Sequence, residues 1–165
     1  MAVATLLGYA ILIPRVSVVI SDPPNPSDPL SSSVTITNTG YLPLERVKLS
    51  YVLGHLIFIN EKGFPVTIEG GSEIEPGTDM SKLTILHWEP WGAPDLGIDG
   101  SYEVALNDGT KNLHRDNVVD VQMGLMVDYK LPILPIHKRK LFPFFAKRQG
   151  ENIYWYAGYE HPKPN

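Results

Sequence analysis

Residues Ser31–Tyr51 read SSSVTITNTGYLPLERVKLSY, and this stretch decides the fold class. Apolar and polar residues alternate strictly in its first half, so Val34 and Ile36 share one face of a strand. Asn38 and Gly40 then mark a reversal, because Asn and Gly tolerate the positive φ values that tight turns use. The first half therefore predicts a half-buried strand that ends in a turn.

The same alternation resumes after the turn. Val47, Leu49 and Tyr51 fall on one face of a second strand, while Arg46 and Lys48 fall on the other. A slip of one residue would expose the whole apolar set, so the register is well determined. The stretch predicts an antiparallel pair of strands with one face in water.

Further short alternating runs occur along the rest of the chain, separated by turns about every 8–12 residues. The 15 prolines and 14 glycines fall largely between these runs, as in an all-β domain. The pattern predicts an immunoglobulin-like antiparallel β-sandwich with roughly seven to nine strands. The second strand of the opening stretch continues to residue 60, with Gly54 as a bulge or break. The other predicted strands are 15–21, 64–69, 82–88, 102–106, 118–129, and a closing hairpin of 141–148 and 152–156 around Gly150.

The core of this sandwich is predicted from the inward positions of the strands. It comprises Val16, Val18, Val34, Ile36, Val47, Leu49, Leu83, Ile85, Val121, Met123, Leu125 and Trp155. With 43% hydrophobic and 19% charged residues, the chain of 165 residues suits one globular domain. We divide it into an apolar segment 1–14, the sandwich 15–156 and a tail 157–165.

The N-terminal segment Ala2–Ile13 is uncharged and apolar and ends at Pro14-Arg15. A membrane-spanning helix needs about 20 apolar residues, so this run is short for one. It also lacks the basic region of a signal peptide. Two interpretations stay open: the remnant of a membrane anchor, or the approach to the first strand. The first predicts a membrane-associated protein, on either side of the membrane, and the second a soluble cytoplasmic one.

The segment SVTITNTGYLPLERVKLSY resembles bacterial and archaeal immunoglobulin-like adhesion modules of the CARDB and NEW3 type. EIEPGTDMSKLTI is similar to their Pro-Gly turn and following strand, and VVDVQMGLMVDYK to one of their last strands. Together with the apolar N-terminal run, residues 15–156 also resemble a membrane-anchored family of bacterial proteins. These resemblances imply a sandwich fold at a bacterial membrane, and they bring no catalytic residues.

Motifs for catalysis and cofactor binding are absent from the sequence. It contains no G-x-S-x-G elbow, P-loop or dinucleotide fingerprint. It has no cysteine, which excludes disulfides, thiolate metal sites and a cysteine nucleophile. The five histidines are widely separated, without the close pairs typical of zinc sites. The sequence predicts a protein that is not an enzyme and binds no cofactor.

One acidic loop permits a calcium interpretation. Residues 95–100, DLGIDG, begin like a calcium loop but do not carry the EF-hand ligand spacing. A looser site would use Asp95, Asp99, Glu103 and Asp108. The alternative is turn chemistry at the two Asp-Gly pairs.

A basic segment is the strongest indication of function. The net charge is −4, but residues 130–150 carry six cations and no acid, a local charge of +6. The candidate residues for binding an anionic surface are Lys138, Arg139, Lys140, Lys147 and Arg148. They either protect the edge of a closing hairpin or contact anionic lipid headgroups or an acidic partner. The overall acidity disfavours nucleic acid as a partner.

The function predicted from these observations is a non-catalytic structural or interaction module at a bacterial membrane. It would bind a protein or glycan through loops or a sheet edge. The alternative is an accessory domain that binds calcium or a small ligand through residues 91–108.

Overall fold

The computed structural model describes residues 14–71, 74–87, 95–110, 113, 116–132 and 137–158. Within these ranges the chain forms nine strands, one short α-helical turn and two 3-10 turns. The strands are β1 (Val16–Ile20), β2 (Ser33–Asn38), β3 (Glu45–Ile59), β4 (Pro65–Glu69), β5 (Ile85–His87), β6 (Ser101–Ala105), β7 (Val118–Lys130), β8 (His137–Gln149) and β9 (Asn152–Ala157). The helical turn α1 is Leu106–Gly109, and the 3-10 turns are Pro29–Ser31 and Met80–Lys82.

The strands form two antiparallel sheets. The small sheet has the order β1-β2-β6, and the large sheet has the order β4-β3-β7-β8-β9, with β5 also pairing with β3. In immunoglobulin notation β1, β2 and β6 correspond to A-B-E, and β4, β3, β7 and β8 to C′-C-F-G. Strand β9 extends the large sheet beyond G. The prediction of an all-β, immunoglobulin-like antiparallel sandwich is confirmed.

The predicted pairing of the two strands in Ser31–Tyr51 is wrong. β2 pairs with β1 and β6, whereas β3 pairs with β4, β5 and β7. The connection 39–44 therefore passes from the small sheet to the large one instead of forming a hairpin. Alternation identified each strand correctly, but it carries no information about which strand lies beside it.

The turn chemistry expected at Asn38 and Gly40 is also different. Neither residue has a positive φ; in this stretch Arg46 has one, at 53°. Asn38 acts through its buried side chain, whose Nδ2 lies 2.8 Å from Leu42 O and 3.0 Å from Gly97 O. Gly40 is required by close approach, because a Cβ there would lie 2.7 Å from the Arg15 backbone nitrogen.

The main core fills the space between the two sheets. Of the predicted core residues, Ile85 and Trp155 are only partly buried, and Leu83 is buried outside this core, in a separate cluster with Val52 and Ile74; the others are buried in it. Trp155 packs against the core from β9, and its Nε1 donates to Pro29 O (3.1 Å) and Ser32 Oγ (3.0 Å). The last strand is thereby attached to the connection between β1 and β2.

The outer face of the large sheet is partly covered, which corrects the prediction of a fully wet face. Val52, Ile74 and Leu83 form a second apolar cluster there, and Ser50 is 1% exposed. The covering segment runs from Gly70 to Leu83. It includes the 3-10 turn Met80–Lys82, so the strand predicted over 82–88 is shortened to β5.

The remaining strand predictions hold with small changes of boundary. The register between β3 and β7 shifts at Leu53/His55, which confirms the bulge predicted at Gly54. The hairpin β8–β9 around Gly150 is confirmed, with β8 starting earlier, at His137. Residues 1–13 and 159–165 of the predicted N-terminal segment and tail lie outside the described residues.

Candidate anion-binding site

Strand β8 carries all five predicted basic candidates, but it does not bring them together. Lys138, Arg139 and Lys140 lie at its start, and Lys147 and Arg148 near its end. At about 3.3 Å per residue, Lys138 and Arg148 are roughly 33 Å apart. The five residues therefore occupy the two ends of one strand and not one patch.

The pair near the end of β8 has local contacts. The Nε and Nη2 atoms of Arg148 donate to Val118 O at 3.0 and 2.7 Å, and its Nη1 donates to Glu151 O at 3.4 Å. This guanidinium holds the first residue of β7. Lys147 Nζ lies 5.8 Å from the centre of the Phe145 ring. Arg148 is thus a structural residue of the hairpin.

The start of β8 lies at the same end of the large sheet as the end of β7 and the start of β3. Antiparallel pairing places the end of β7 beside β8 and the start of β3 on the other side of β7, with Lys48 opposite Asp128 and Asp128 opposite Arg139. We call this region the basic end of the sandwich. It contains a cavity of about 350 Å³, the basic cavity, which is lined by Arg46, Lys48, Asp128, Tyr129, His137 and Arg139.

Positive charge is in excess in the basic cavity. Its lining contains three permanently charged cations, Arg46, Lys48 and Arg139, against the single carboxylate of Asp128. Arg139 Nε lies 2.8 Å from Asp128 Oδ1. The lining therefore has more cationic than anionic side chains. An excess of this kind favours anions.

Arg46 lines the basic cavity, and its backbone has an unusual conformation. Between Glu45 and Lys48 the register with β7 shifts, so that two residues of β3 lie opposite one of β7. Arg46 has the φ of 53° that glycine usually supplies in such a bulge. Its backbone N–H donates to Asp95 Oδ1 at 3.0 Å, which fixes the bulge.

The first strand begins at the same end of the molecule. Arg15 O accepts a hydrogen bond from Thr39 N at 3.0 Å, and the connection that follows leads directly into the start of β3. The chain that follows the apolar run Ala2–Ile13 therefore enters the sandwich at its basic end. Arg15 adds one more cation there.

Burial changes the pKa of Tyr129, one of the residues that line the basic cavity. Tyr129 is 5% exposed, and desolvation raises the pKa of its phenol above the ordinary 10.0. The phenol therefore stays protonated at neutral pH and keeps its hydrogen as a donor.

The predicted calcium ligands have separate roles in the structure. Asp95 accepts from Arg46, Asp99 takes the left-handed conformation of a turn (φ 57°), and Glu103 lies on β6 opposite Thr35. The backbone of Asp108 belongs to α1, and its side chain is not among those that the structure describes. Among the side chains that the structure describes, no three His, Asp or Glu residues are grouped to hold a metal ion.

A larger cavity of about 670 Å³ lies beside the covering segment and has an acidic lining. Its carboxylates include Glu69, Glu75 and Asp79. Asp79 accepts hydrogen bonds from Ser81 N and Ser81 Oγ, which lower the pKa of its carboxyl. This carboxylate caps the 3-10 turn Met80–Lys82 and has a local structural role.

Sequence reasoning missed Arg46, Lys48 and His137 as members of one site. Arg46 and Lys48 were assigned to a solvent face by alternation, and the cavity becomes visible only through the pairing of β3 with β7 and β8. No family model matches the chain, and no curated protein matches it. Over the described ranges no helix is long and apolar enough to cross a membrane.

Proposed function

We propose that this chain is a non-catalytic interaction module whose basic end rests against an anionic membrane surface. One observation carries the proposal: the cations at the start of β3 and of β8 lie at the end where the chain enters after its apolar run. A short apolar segment and a polybasic surface bind membranes better together than either does alone.

Electrostatic attraction between these cations and anionic lipids strengthens the membrane contact. A Lys or Arg close to an anionic leaflet contributes about 1 kcal/mol, and the contribution falls off within a Debye length. Lys138 and Lys140 are exposed and lie on the part of β8 that extends beyond its pairing with β9. They can approach a membrane without breaking any strand pairing.

The partner of the module is a protein or a glycan, engaged away from the membrane. Strand β9 is the last strand of the large sheet and presents Tyr154 and Tyr156, each 37% exposed. Exposed aromatic residues on an edge strand suit both addition of a peptide strand and stacking against a flat partner.

Vesicle sedimentation tests the membrane contact. We expect the full chain to sediment with vesicles containing anionic lipid, more weakly with neutral vesicles, and progressively less as salt is raised. The double substitution Lys138→Gln/Lys140→Gln should reduce the bound fraction several-fold. The matched control Lys62→Gln/Lys82→Gln removes two charges elsewhere, including one at the β3–β4 turn at the opposite end of β3, and should bind like the parent.

Equal binding to both kinds of vesicle, or equal loss in the two double variants, would contradict the proposal. The alternative, a calcium- or small-ligand-binding accessory domain, makes a different prediction. Calcium would then raise the melting temperature with a saturable concentration dependence, and Asp99→Asn would remove the effect.

A further inference from the structure

We propose that the basic end of the sandwich inserts two exposed apolar side chains, Tyr41 and Ile98, at the boundary between lipid headgroups and acyl chains. These side chains are 65% and 56% exposed. The inference deepens the proposed function and rests on it, because it names the residues that enter the membrane once the cations have brought the domain there.

The two side chains lie on neighbouring loops that are held firmly together. Tyr41 is on the connection from β2 to β3, and Ile98 is on the loop before β6. Leu44 and Leu96 join these loops, since the N–H of each donates to the carbonyl of the other at 2.8 Å. The buried Asn38 side chain also bonds to carbonyl oxygens of both loops. Tyr41 and Ile98 are therefore presented on a fixed support.

The position of Ile98 is unusual for a large apolar residue. It occupies the corner of a tight turn, in which Gly100 N donates to Gly97 O at 3.0 Å. Such corners favour Gly, Pro, Asn, Asp and Ser, and an exposed isoleucine gains nothing there from burial on folding. Single exposed apolar residues are common on protein surfaces, but here a second one, Tyr41, lies on the adjoining loop. The pair forms a small apolar contact surface at one end of the molecule.

The apolar run Ala2–Ile13 joins the described part of the chain beside Tyr41. A Cβ on Gly40 would lie 3.4 Å from Pro14 Cα, and Tyr41 is the next residue after Gly40. The attachment point of the apolar run and the two exposed loop residues therefore share one end of the sandwich. A contact that accepts apolar groups at this end is needed for both.

Exposed cations surround this contact surface. Arg15 and Arg46 flank the connection that carries Tyr41, and Lys138 and Lys140 lie at the start of β8 at the same end. An anionic bilayer offers a negative surface above an apolar interior, so it complements both the cations and the apolar side chains. Tyrosine in particular is enriched at the headgroup level of membranes, where its ring is apolar and its hydroxyl stays wet.

Two carboxylates on the same loop limit the depth of insertion. Asp95 accepts a hydrogen bond from Arg46 N at 3.0 Å, and Asp99 follows Ile98 with the positive φ of 57° that the turn uses. Both residues are exposed. Because an ionised carboxylate is costly to remove from water, the loop backbone stays in the headgroup layer and the Ile98 side chain alone reaches the acyl chains.

Site-specific labelling tests the insertion in the full chain, which contains no cysteine. Tyr41→Cys, Ile98→Cys and the control Phe64→Cys are each labelled with a polarity-sensitive fluorophore. Phe64 is 64% exposed on the turn between β3 and β4, at the opposite end of β3. With vesicles that contain phosphatidylserine, we expect the probes at positions 41 and 98 to shift to shorter wavelength and to be quenched by lipids spin-labelled on the acyl chain. The probe at position 64 should not respond.

A substitution experiment measures the contribution to binding. Tyr41→Ser/Ile98→Ser should weaken binding to the same vesicles at least about fivefold, because both side chains lose contact with apolar lipid. Phe64→Ser removes an equally exposed aromatic residue and should bind like the parent. The substituted side chains are all exposed, so the melting temperatures of these variants should match that of the parent.

The outcomes separate this inference from the proposed function. If vesicles bind but the probes at positions 41 and 98 behave like the probe at position 64, insertion is overturned and the electrostatic contact stands. If those two probes respond while Lys138→Gln/Lys140→Gln binds like the parent, insertion stands and the electrostatic contact fails. If no vesicle binds the parent, both proposals fail.

Discussion

Asn38 shows how one buried side chain holds two loops at the end of the small sheet. Its Nδ2 lies within 3.2 Å of the carbonyl oxygens of Leu42, Leu96 and Gly97, and its Oδ1 accepts from Gly40 N at 3.0 Å. These groups belong to the connection between β2 and β3 and to the loop before β6. A small apolar side chain would leave all of them without this partner.

We predict that Asn38→Ala lowers the free energy of unfolding by about 2–4 kcal/mol, because several buried polar groups lose their hydrogen bonds. Urea denaturation monitored by tryptophan fluorescence measures the change. Asn152→Ala is the matched control, since Asn152 is exposed and its side chain donates to Tyr154 Oη at the long distance of 3.3 Å, and it should cost less than about 0.5 kcal/mol. Equal effects of the two substitutions would contradict this role of Asn38.

Tyr129 gives a prediction for alkaline pH. Because burial raises the pKa of its phenol above 10.0, the folded protein keeps this proton after the unfolded chain has lost it. The stabilisation is complete below pH 10 and is lost as pH rises through the folded pKa. Tyr129→Phe should therefore show a shallower loss of stability above pH 10, measured as melting temperature against pH. Parallel curves for the two proteins would refute the assignment.

Among the elements, the covering segment from Gly70 to Leu83 is held where it first meets β3. Gly70 N donates to Gly54 O at 2.8 Å, at the bulge of β3. A Cβ on Gly70 would lie 2.0 Å from Leu53 O, so a side chain there cannot be accommodated without moving backbone. The segment then places Ile74 and Leu83 over Val52.

We predict that Gly70→Ala destabilises the protein by at least about 2 kcal/mol, since it forces the covering segment away from the sheet. Gly97→Ala is the matched control, because an added Cβ there would meet no atom within 4 Å. It should change stability by less than about 0.5 kcal/mol. Urea denaturation compares the two variants, and a tolerated Gly70→Ala would show that the segment is not held in this way.

The elements also show how far the sequence predicts this fold. Alternation located β1, β2, β3 and β7 because one face of each strand packs into the core. It could not predict that β2 and β3 lie in different sheets, since that depends on contacts with distant strands. Nor could it show that Ser50, on the polar side of the alternation, is 1% exposed, since that depends on how distant segments pack on this face of the large sheet.

For the molecule as a whole, charge is separated along the strands. The acidic net charge of −4 coexists with a cluster of cations at the end where β1 begins. Sequence reasoning located the basic stretch of β8 but grouped residues from its two ends. The cavity could not be predicted, because strand pairing brings Arg46 to the same end of the sheet as Asp128 and Arg139, which lie more than 80 residues later in the chain.

The crossing of the connection 39–44 between the sheets has a consequence for the order of folding. β2 pairs with β1 on one side and with β6 on the other, and the long pairing of β3 is with β7. Both β6 and β7 come later in the sequence. During synthesis, the first half of the domain can form just the local pairs β1–β2, β3–β4 and β3–β5. The apolar faces of these strands stay uncovered until residues 118–130 have emerged from the ribosome. Folding should therefore take milliseconds to seconds, as is typical of sandwiches dominated by non-local pairing.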